Sequence, residues 1–359
     1  MREPCFFPGR ADFFRGFRVG NKTPPIAASR AARRTRALTP HRDLPSEGDL
    51  FPGFDMTAVF FALGLAGLFF GGNWLVQGAS AAALRLRIPP LIIGLIVVGF
   101  GTSTPELLVS VQAALAGASG IAIGNVVGSN IANILLILGV SAVIGPFAAS
   151  LSRLRRDLGW MMAAALATIP AFWSGMVGRW EGIALVLGIA AYIAVCLRQA
   201  GSEDEPDIAT APLWRSGLTL LGGLVVLLVG ARLLIDSATE IARAFGVSEA
   251  VIGLTIVAIG TSLPELATSV IAAFRGQRDI ALGNVVGSNI FNILAILGIT
   301  ALIAPIPVES RFLLVDVPVM IGASVLLVAT IAWARGLERL GGAGFLALYA
   351  LYMVALSVT

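Results

Sequence analysis

The chain has 359 residues, 57% of them hydrophobic and only 13% charged, with a mean hydropathy of +0.88. That balance excludes an ordinary soluble domain and places the chain among polytopic membrane proteins. The net charge of +4 and pI of 9.7 do not signal nucleic acid, because residues 1–55 hold ten Lys/Arg against six Asp/Glu while the remaining fifteen of each sign cancel.

Residues 1–55 are rich in Arg, Pro and Gly and contain no apolar run long enough for a signal-peptide core, so they are expected to be a disordered extension. Met56 opens the first apolar segment and is the expected biological start. From there, ten segments of roughly 17 to 28 residues can cross a hydrocarbon core of about 30 Å. They fall near 57–80, 91–117, 121–147, 157–174, 180–198, 214–236, 249–274, 280–305, 312–334 and 341–358. The expected fold is therefore an all-α polytopic membrane protein. Residues 56–200 form a first five-helix repeat, 201–212 an acidic linker and 213–359 a second five-helix repeat.

The repeats are visible in the residues. IIGLIVVGFGTSTPE (Ile92 to Glu106) returns as VIGLTIVAIGTSLPE (Val251 to Glu265), offset by 159 residues, with nine of fifteen positions identical. GIAIGNVVGSNIANILLILG (Gly120 to Gly139) returns as DIALGNVVGSNIFNILAILG (Asp279 to Gly298), with sixteen of twenty identical. An odd number of spans per repeat forces the two halves into opposite orientations, a recurring transporter plan that puts the substrate site near the midplane. Of the fifteen Arg outside the tail, eleven fall on one side of that topology and four on the other. This bias puts the membrane-domain termini outside and the acidic linker in the cytoplasm.

Glu106 and Glu265 lie about fifteen residues into their spans, near the bilayer centre, where an unpaired carboxylate costs at least about 2.5 kcal/mol. No Lys or Arg sits at comparable depth, so the partner is a proton or a bound cation. Pro105 and Pro264 precede the acids and are expected to break their helices, freeing carbonyls near Gly101, Thr102, Gly260 and Thr261. Hydroxyls of Thr102, Ser103, Thr261 and Ser262 stand at the same breaks. Ser129 and Asn133, with Ser288 and Asn292, bring more oxygens to one helix face, whereas Asn125, Asn130, Asn284 and Asn289 are read as helix-to-helix hydrogen-bonding groups. Gly124 and Gly128, with Gly283 and Gly287, are small-xxx-small pairs for close helix approach. An all-oxygen ligand set suits hard cations such as Ca²⁺ and Na⁺. Asp157 and Asp316 are read as structural acids complementing helix N-termini, and Asp236 and Glu240 as a solvated helix end. With Cys5 and Cys196 the only cysteines and His41 the only histidine, a disulfide framework and a His/Cys zinc site are both excluded. An intramembrane hydrolase has no histidine base in the membrane.

At GTSTPE and GNVVGSNIAN, with GTSLPE and GNVVGSNIFN, the chain resembles the sodium/calcium exchanger branch of the cation/Ca²⁺ exchanger superfamily, prokaryotic type, over residues 56–359. The resemblance implies a Na⁺/Ca²⁺ antiporter of a prokaryotic plasma membrane, not an enzyme, with Ca²⁺ and Na⁺ as transported ions and no cofactor. It implies Ca²⁺ at Glu106 and Glu265, and Na⁺ around them at Thr102, Ser103, Ser129, Asn133, Thr261, Ser262, Ser288 and Asn292, with the Gly99 and Ala258 carbonyls. Members that co-transport K⁺ carry Asp where Asn292 stands, which argues against K⁺ here. A Ca²⁺/H⁺ antiporter is the alternative reading, and a cation channel a more remote one.

Overall fold

The computed structural model of the protein describes residues 54–86, 88, 90–148, 151–199, 212–246, 258–334 and 336–358. The extension before residue 54, the linker up to residue 211 and the first part of the 249–274 segment lie outside the described residues. The described residues are mostly helical. In chain order the helices are α1 (Phe54–Leu86), α2 (Pro90–Thr102), α3 (Thr104–Leu115), α4 (Ser119–Ile144), α5 (Leu151–Trp173) and α6 (Arg179–Gln199). They continue with α7 (Leu213–Ala244), α8 (Ala258–Gly260), α9 (Leu263–Phe274), α10 (Arg278–Ile303), α11 (Phe312–Ala334) and α12 (Arg339–Val358).

Seven helices among the described residues are long and apolar enough to cross a membrane, or eight if α2 and α3, bent by 42°, count as one broken span. That is fewer than the ten expected. Arg155, Arg156 and Asp157 make the start of α5 polar, and the first part of the 249–274 segment lies outside the described residues, which leaves α9 as 12 residues. Helices α1 and α7 run well past the expected ends, to 33 and 32 residues. Exposed tryptophans near helix ends, among them Trp173, Trp180 and Trp333, suit the membrane–water boundary.

A seam of glycines joins α1 to α7. A Cβ added at Gly67 would come within 2.7 Å of Gly230 Cα, and one at Gly64 within 2.7 Å of the Leu234 nitrogen, so the two backbones touch where side chains would normally stand. Helix α2 approaches α10 the same way: a Cβ at Gly283 would meet the Leu91 carbonyl at 2.7 Å. The close approach expected of Gly283 and Gly287 is thus present. Around Gly128 no atom lies within 4 Å of an added Cβ, and at Gly124 only the Phe312 ring approaches, at 3.7 Å.

The two halves interlock through matched contacts. Helix α9 packs on α4 as α3 packs on α10, α12 packs on α4 as α6 packs on α10, and α5 meets its counterpart α11. Two short antiparallel ladders cross between halves: β1 (Phe147–Ala148) pairs with β4 (Gly336–Leu337), and β2 (Met176–Val177) with β3 (Ile306–Pro307). The largest buried cluster draws on both halves, centred on α4 and α10 with Ile131, Ile134, Ile290 and Ile293. This places the two copies of the GNVVGSN motif in the middle of the molecule.

The seam gives a direct test. A Cβ at Gly223 would come within 2.8 Å of the Gly71 carbonyl, whereas nothing lies within 4 Å of one at Gly222. Gly223→Val is expected to cost about 1–3 kcal/mol through overpacking, read as a fall in the thermal midpoint of the solubilised protein. Gly222→Val is expected to leave that midpoint in place.

Candidate cation site

The helix carrying each glutamate begins at a break. Ser103, at φ −83° and ψ 8°, ends α2 and starts α3, and Ser262, at φ −90° and ψ 7°, does the same ahead of α9. Pro105 and Pro264 therefore sit in the first turn of a new helix, where a missing N–H costs nothing, and not inside a continuous one as the sequence reading had it. The carbonyls at the first break are engaged in consequence. Gly99 O accepts from the Ser103 N–H at 3.1 Å, and from Thr102 Oγ1 and Ser288 Oγ at 3.4 Å each. Ala258 opens the short helix α8, and nothing further is described around its side chain.

Glu106 and Glu265 are each 1% exposed. Each is met by the serine from the opposite break: Ser103 Oγ donates to Glu265 Oε1 at 2.8 Å, and Ser262 Oγ to Glu106 Oε1 at 3.5 Å. This exchange joins the two copies of GTSxPE at one place. The helices converge accordingly, with α9 packed on the Asn133–Ile137 segment of α4 and α3 on the Asn292–Leu297 segment of α10. Both segments are π-helical. A π turn shifts the backbone bonding by one residue, which leaves Asn133 and Asn292 at the point of irregularity.

Four buried oxygens from these residues find no donor in the structure: Glu106 Oε2, Glu265 Oε2, Asn133 Oδ1 and Asn292 Oδ1. All four only accept. Dry acceptors of this kind cost free energy unless a donor or a cation reaches them. Ion pairs among the described residues include Arg156–Asp157, Arg232–Asp236 and Arg311–Asp316, and among the described residues none involves either glutamate. Among the described residues there is also no group of three or more His, Cys, Asp or Glu. The donor set is one of mixed carboxylate, amide and hydroxyl oxygens, the chemistry of hard cations.

The remaining expected residues divide. Thr102 is buried and bonds Val98 O at 3.0 Å and Asn284 Oδ1 at 3.2 Å, Ser288 is turned to Gly99 O, Ser129 is 6% exposed on α4, and Thr261 is half-buried in the turn before Ser262. Asn125 and Asn284 have the structural role read from sequence. Asn125 Nδ2 donates to Glu106 O and Ser110 Oγ at 3.0 and 2.9 Å, and Asn284 Nδ2 to Glu265 O and Ser269 Oγ at 3.2 and 2.9 Å. They hold the glutamate helices in place. Asn289 Oδ1 accepts from Asn133 Nδ2 at 3.0 Å, and Asn130 bonds Val126 O. Ser110 and Ser269, which the sequence reading passed over, stand at the same 159 offset, and that offset was the signal for finding them.

Asp157 and Asp316 require a correction. Asp157 lies about two turns into α5 and Asp316 about one turn into α11, past the first turn over which the terminal dipole acts, and both are held by side chains instead. Arg156 pairs with Asp157 at 2.8 Å and Tyr192 donates to it at 3.4 Å, while Arg311 stands 3.7 Å from Asp316 and Tyr352 donates at 3.0 Å. Their role is still to join helices within a half. Asp236 and Glu240 are exposed, as a solvated helix end should be.

The family model described as "Sodium/calcium exchanger protein" matches residues 56–198 and again 215–358. The chain is 38% identical to the inner membrane protein YrbG of Escherichia coli (strain K12), covering 81% of this chain and 93% of that one. It is 34% identical to the sodium/calcium exchanger MaX1 of Methanosarcina acetivorans, covering 84% and 99%. At 26% identity, over 70% of this chain and 80% of the other, it is similar to the Ca²⁺/H⁺ antiporter ChaA of Bacillus subtilis. Among solved structures, the sodium-calcium exchanger NCX_Mj superposes with a TM-score of 0.76 at 34% identity, covering 84% of this chain and 99% of that one.

The two asparagines that anchor the glutamate helices offer a test independent of any ion. Asn284→Ala would leave Glu265 O and Ser269 Oγ without their donor. It is expected to destabilise the ion-free protein by about 1–3 kcal/mol, as is Asn125→Ala, both read from thermal midpoints in chelator-containing buffer.

Proposed function

The chain belongs to the sodium/calcium exchanger protein family, a family of transporters and not enzymes, and from that premise we propose that it exchanges Na⁺ for Ca²⁺ at a single site shared by its two halves. It is a multi-pass membrane protein, and the bacterial inner membrane is the location this reading assigns. The observation that carries the proposal is the set of four buried, donorless oxygens on Glu106, Glu265, Asn133 and Asn292. Two carboxylates without a basic partner offer a charge of −2. One Ca²⁺ balances that alone; Na⁺ does so only in company.

Competition follows from this arithmetic. Ca²⁺ would take both glutamates, and Na⁺ ions would claim the same oxygens with Ser103, Ser262, Thr102, Thr261, Ser129, Ser288 and the Gly99 and Ala258 carbonyls. Binding of one displaces the other, and a site left empty with two facing charges resists enclosure in a dry interior. Exchange is obligatory for that reason. The proposed architecture is ten spans in two five-helix repeats of opposite orientation, residues 56–200 and 213–359. It is supported by the twofold match to the family model and by the paired contacts between halves. The Arg distribution supports membrane-domain termini outside and residues 201–212 in the cytoplasm. Asn292 in place of an acid leaves no third carboxylate, which favours exchange without K⁺.

The likeness to ChaA favours a second reading, Ca²⁺/H⁺ antiport, because protons satisfy carboxylates as well as Na⁺ does. ⁴⁵Ca uptake into proteoliposomes under imposed Na⁺, K⁺ or pH gradients separates the two. Uptake driven by an outward Na⁺ gradient at uniform pH is the expected result, and uptake driven by a pH gradient without Na⁺ would transfer the assignment to H⁺. Flux that needs no counter-ion would instead indicate a channel. Glu106→Gln and Glu265→Gln are each expected to reduce Na⁺-dependent ⁴⁵Ca flux to background; retained exchange in either would end the assigned role. Acidifying both sides equally should slow exchange, since a protonated glutamate contributes no charge to the site.

A further inference from the structure

Two turns of the duplicated chain share a backbone and differ in side chains. After α3, Gly117 has φ 74° and Ala118 sits at φ −88°, ψ 61°; after α9, Gly276 has φ 71° and Gln277 sits at φ −88°, ψ 62°. The first turn reads Ala116, Gly117, Ala118 and the second Arg275, Gly276, Gln277. Only the second carries side chains able to donate or accept, and α1 engages them. With the Gln77 amide oxygen facing Arg275, the guanidinium donates to it at 2.8 and 3.2 Å. Ser80 Oγ donates to Gln277 Oε1 at 2.8 Å. The counterparts of Gln77 and Ser80 on α7 are Asp236 and Thr239, to which the methyl groups of Ala116 and Ala118 offer nothing; Asp236 stands 3.9 Å from Arg232 instead.

Packing has the same asymmetry. Helix α1 lies along α9 and covers it closely: a Cβ at Gly72 would come within 2.5 Å of Ile271 Cδ1, and Ile271 is 9% exposed. On α3 the matching face is open. Leu108, the counterpart of Ala267, is 58% exposed, and Gln112, the counterpart of Ile271, is exposed as well.

We infer that Gln77, Ser80, Arg275 and Gln277 form a one-sided latch that holds the α1 side of the cation site shut. The inference rests on the exchanger reading. A duplicated antiporter alternates between two arrangements in which the halves trade conformations, with α1 closed on α9 in one and α7 closed on α3 in the other. A set of hydrogen bonds that only one half can make stabilises only one of these. By the Arg distribution the latched side is cytoplasmic, so the resting carrier opens outward. Each cycle must then break the latch on one side, and the Ala116–Ala118 turn on the other has no side-chain bond to break.

The test uses the full-length chain carrying Cys5→Ser and a reporter, Ala267→Cys, on the face that α1 covers. Inside-out vesicles are exposed to a membrane-impermeant maleimide. Because labelling reads the minor arrangement, Gln77→Ala combined with Gln277→Ala is expected to speed it about three- to tenfold, the scale of a few exposed hydrogen bonds. Gln277→Glu, which keeps an acceptor for Ser80, should label far closer to the parent rate. The same double variant on a Leu108→Cys reporter, labelled in right-side-out vesicles, should react no faster than its parent; faster labelling of both reporters would mean general loosening and overturn the latch. Unchanged labelling at residue 267 would overturn it too. Na⁺-driven ⁴⁵Ca flux by the parent in the same vesicles tests the exchanger reading separately. Labelling that rises without such flux would remove that reading and keep the latch, and flux without a labelling change would do the reverse.

Discussion

Two carboxylates closed off from water, with no basic side chain paired to them among the described residues, set the terms for the rest of the molecule. Burial of Glu106 and Glu265, each 1% exposed, carries the desolvation cost of two acids at one place. The surrounding elements offset part of that cost in a definite way. Each helix breaks at a serine one turn before its acid, and each serine reaches across to the acid of the other half. An asparagine then pins the backbone of each glutamate from the following helix. What these devices leave over is one oxygen on each glutamate and one on each of Asn133 and Asn292, the acceptors on which the proposed exchange rests.

Much of this was legible in the residues. The 159 offset revealed the duplication, the depth of the glutamates identified them as the centre, and the absence of Lys or Arg at that depth called for a cation. Hydroxyls beside each acid were legible too, though not that each would serve the opposite one. That step depends on how the halves face each other, which no local pattern encodes. The π turns at Asn133 and Asn292 were equally hidden, because NILLI and NILAI read as ordinary helix and the extra residue per turn is imposed by packing.

Other departures have local causes. Proline was read as a helix breaker, whereas the chain had already broken at Ser103 and Ser262 and used proline to begin again. Asp157 and Asp316 were placed near helix starts from hydropathy alone. Helix α5 begins earlier than expected, at Leu151, because its first residues include charged ones such as Arg155 that do not register as membrane span, so Asp157 falls inside, and both acids are met by Arg and Tyr. The glycine seam between α1 and α7 was written in the sequence as Gly64, Gly67 and Gly71 facing Gly223 and Gly230, but glycine spacing in one helix does not name its partner.

The small ladders joining β1 to β4 and β2 to β3 carry a consequence out of proportion to their size. They rivet loops of one half to loops of the other, so the helices they border form a chassis that cannot shear without rupturing backbone bonds. Helices α1 and α7 carry no such rivet and adhere to each other through bare backbone. Resistance to relative movement is therefore lowest along that pair, where contact is backbone against backbone and no ladder bond spans the gap.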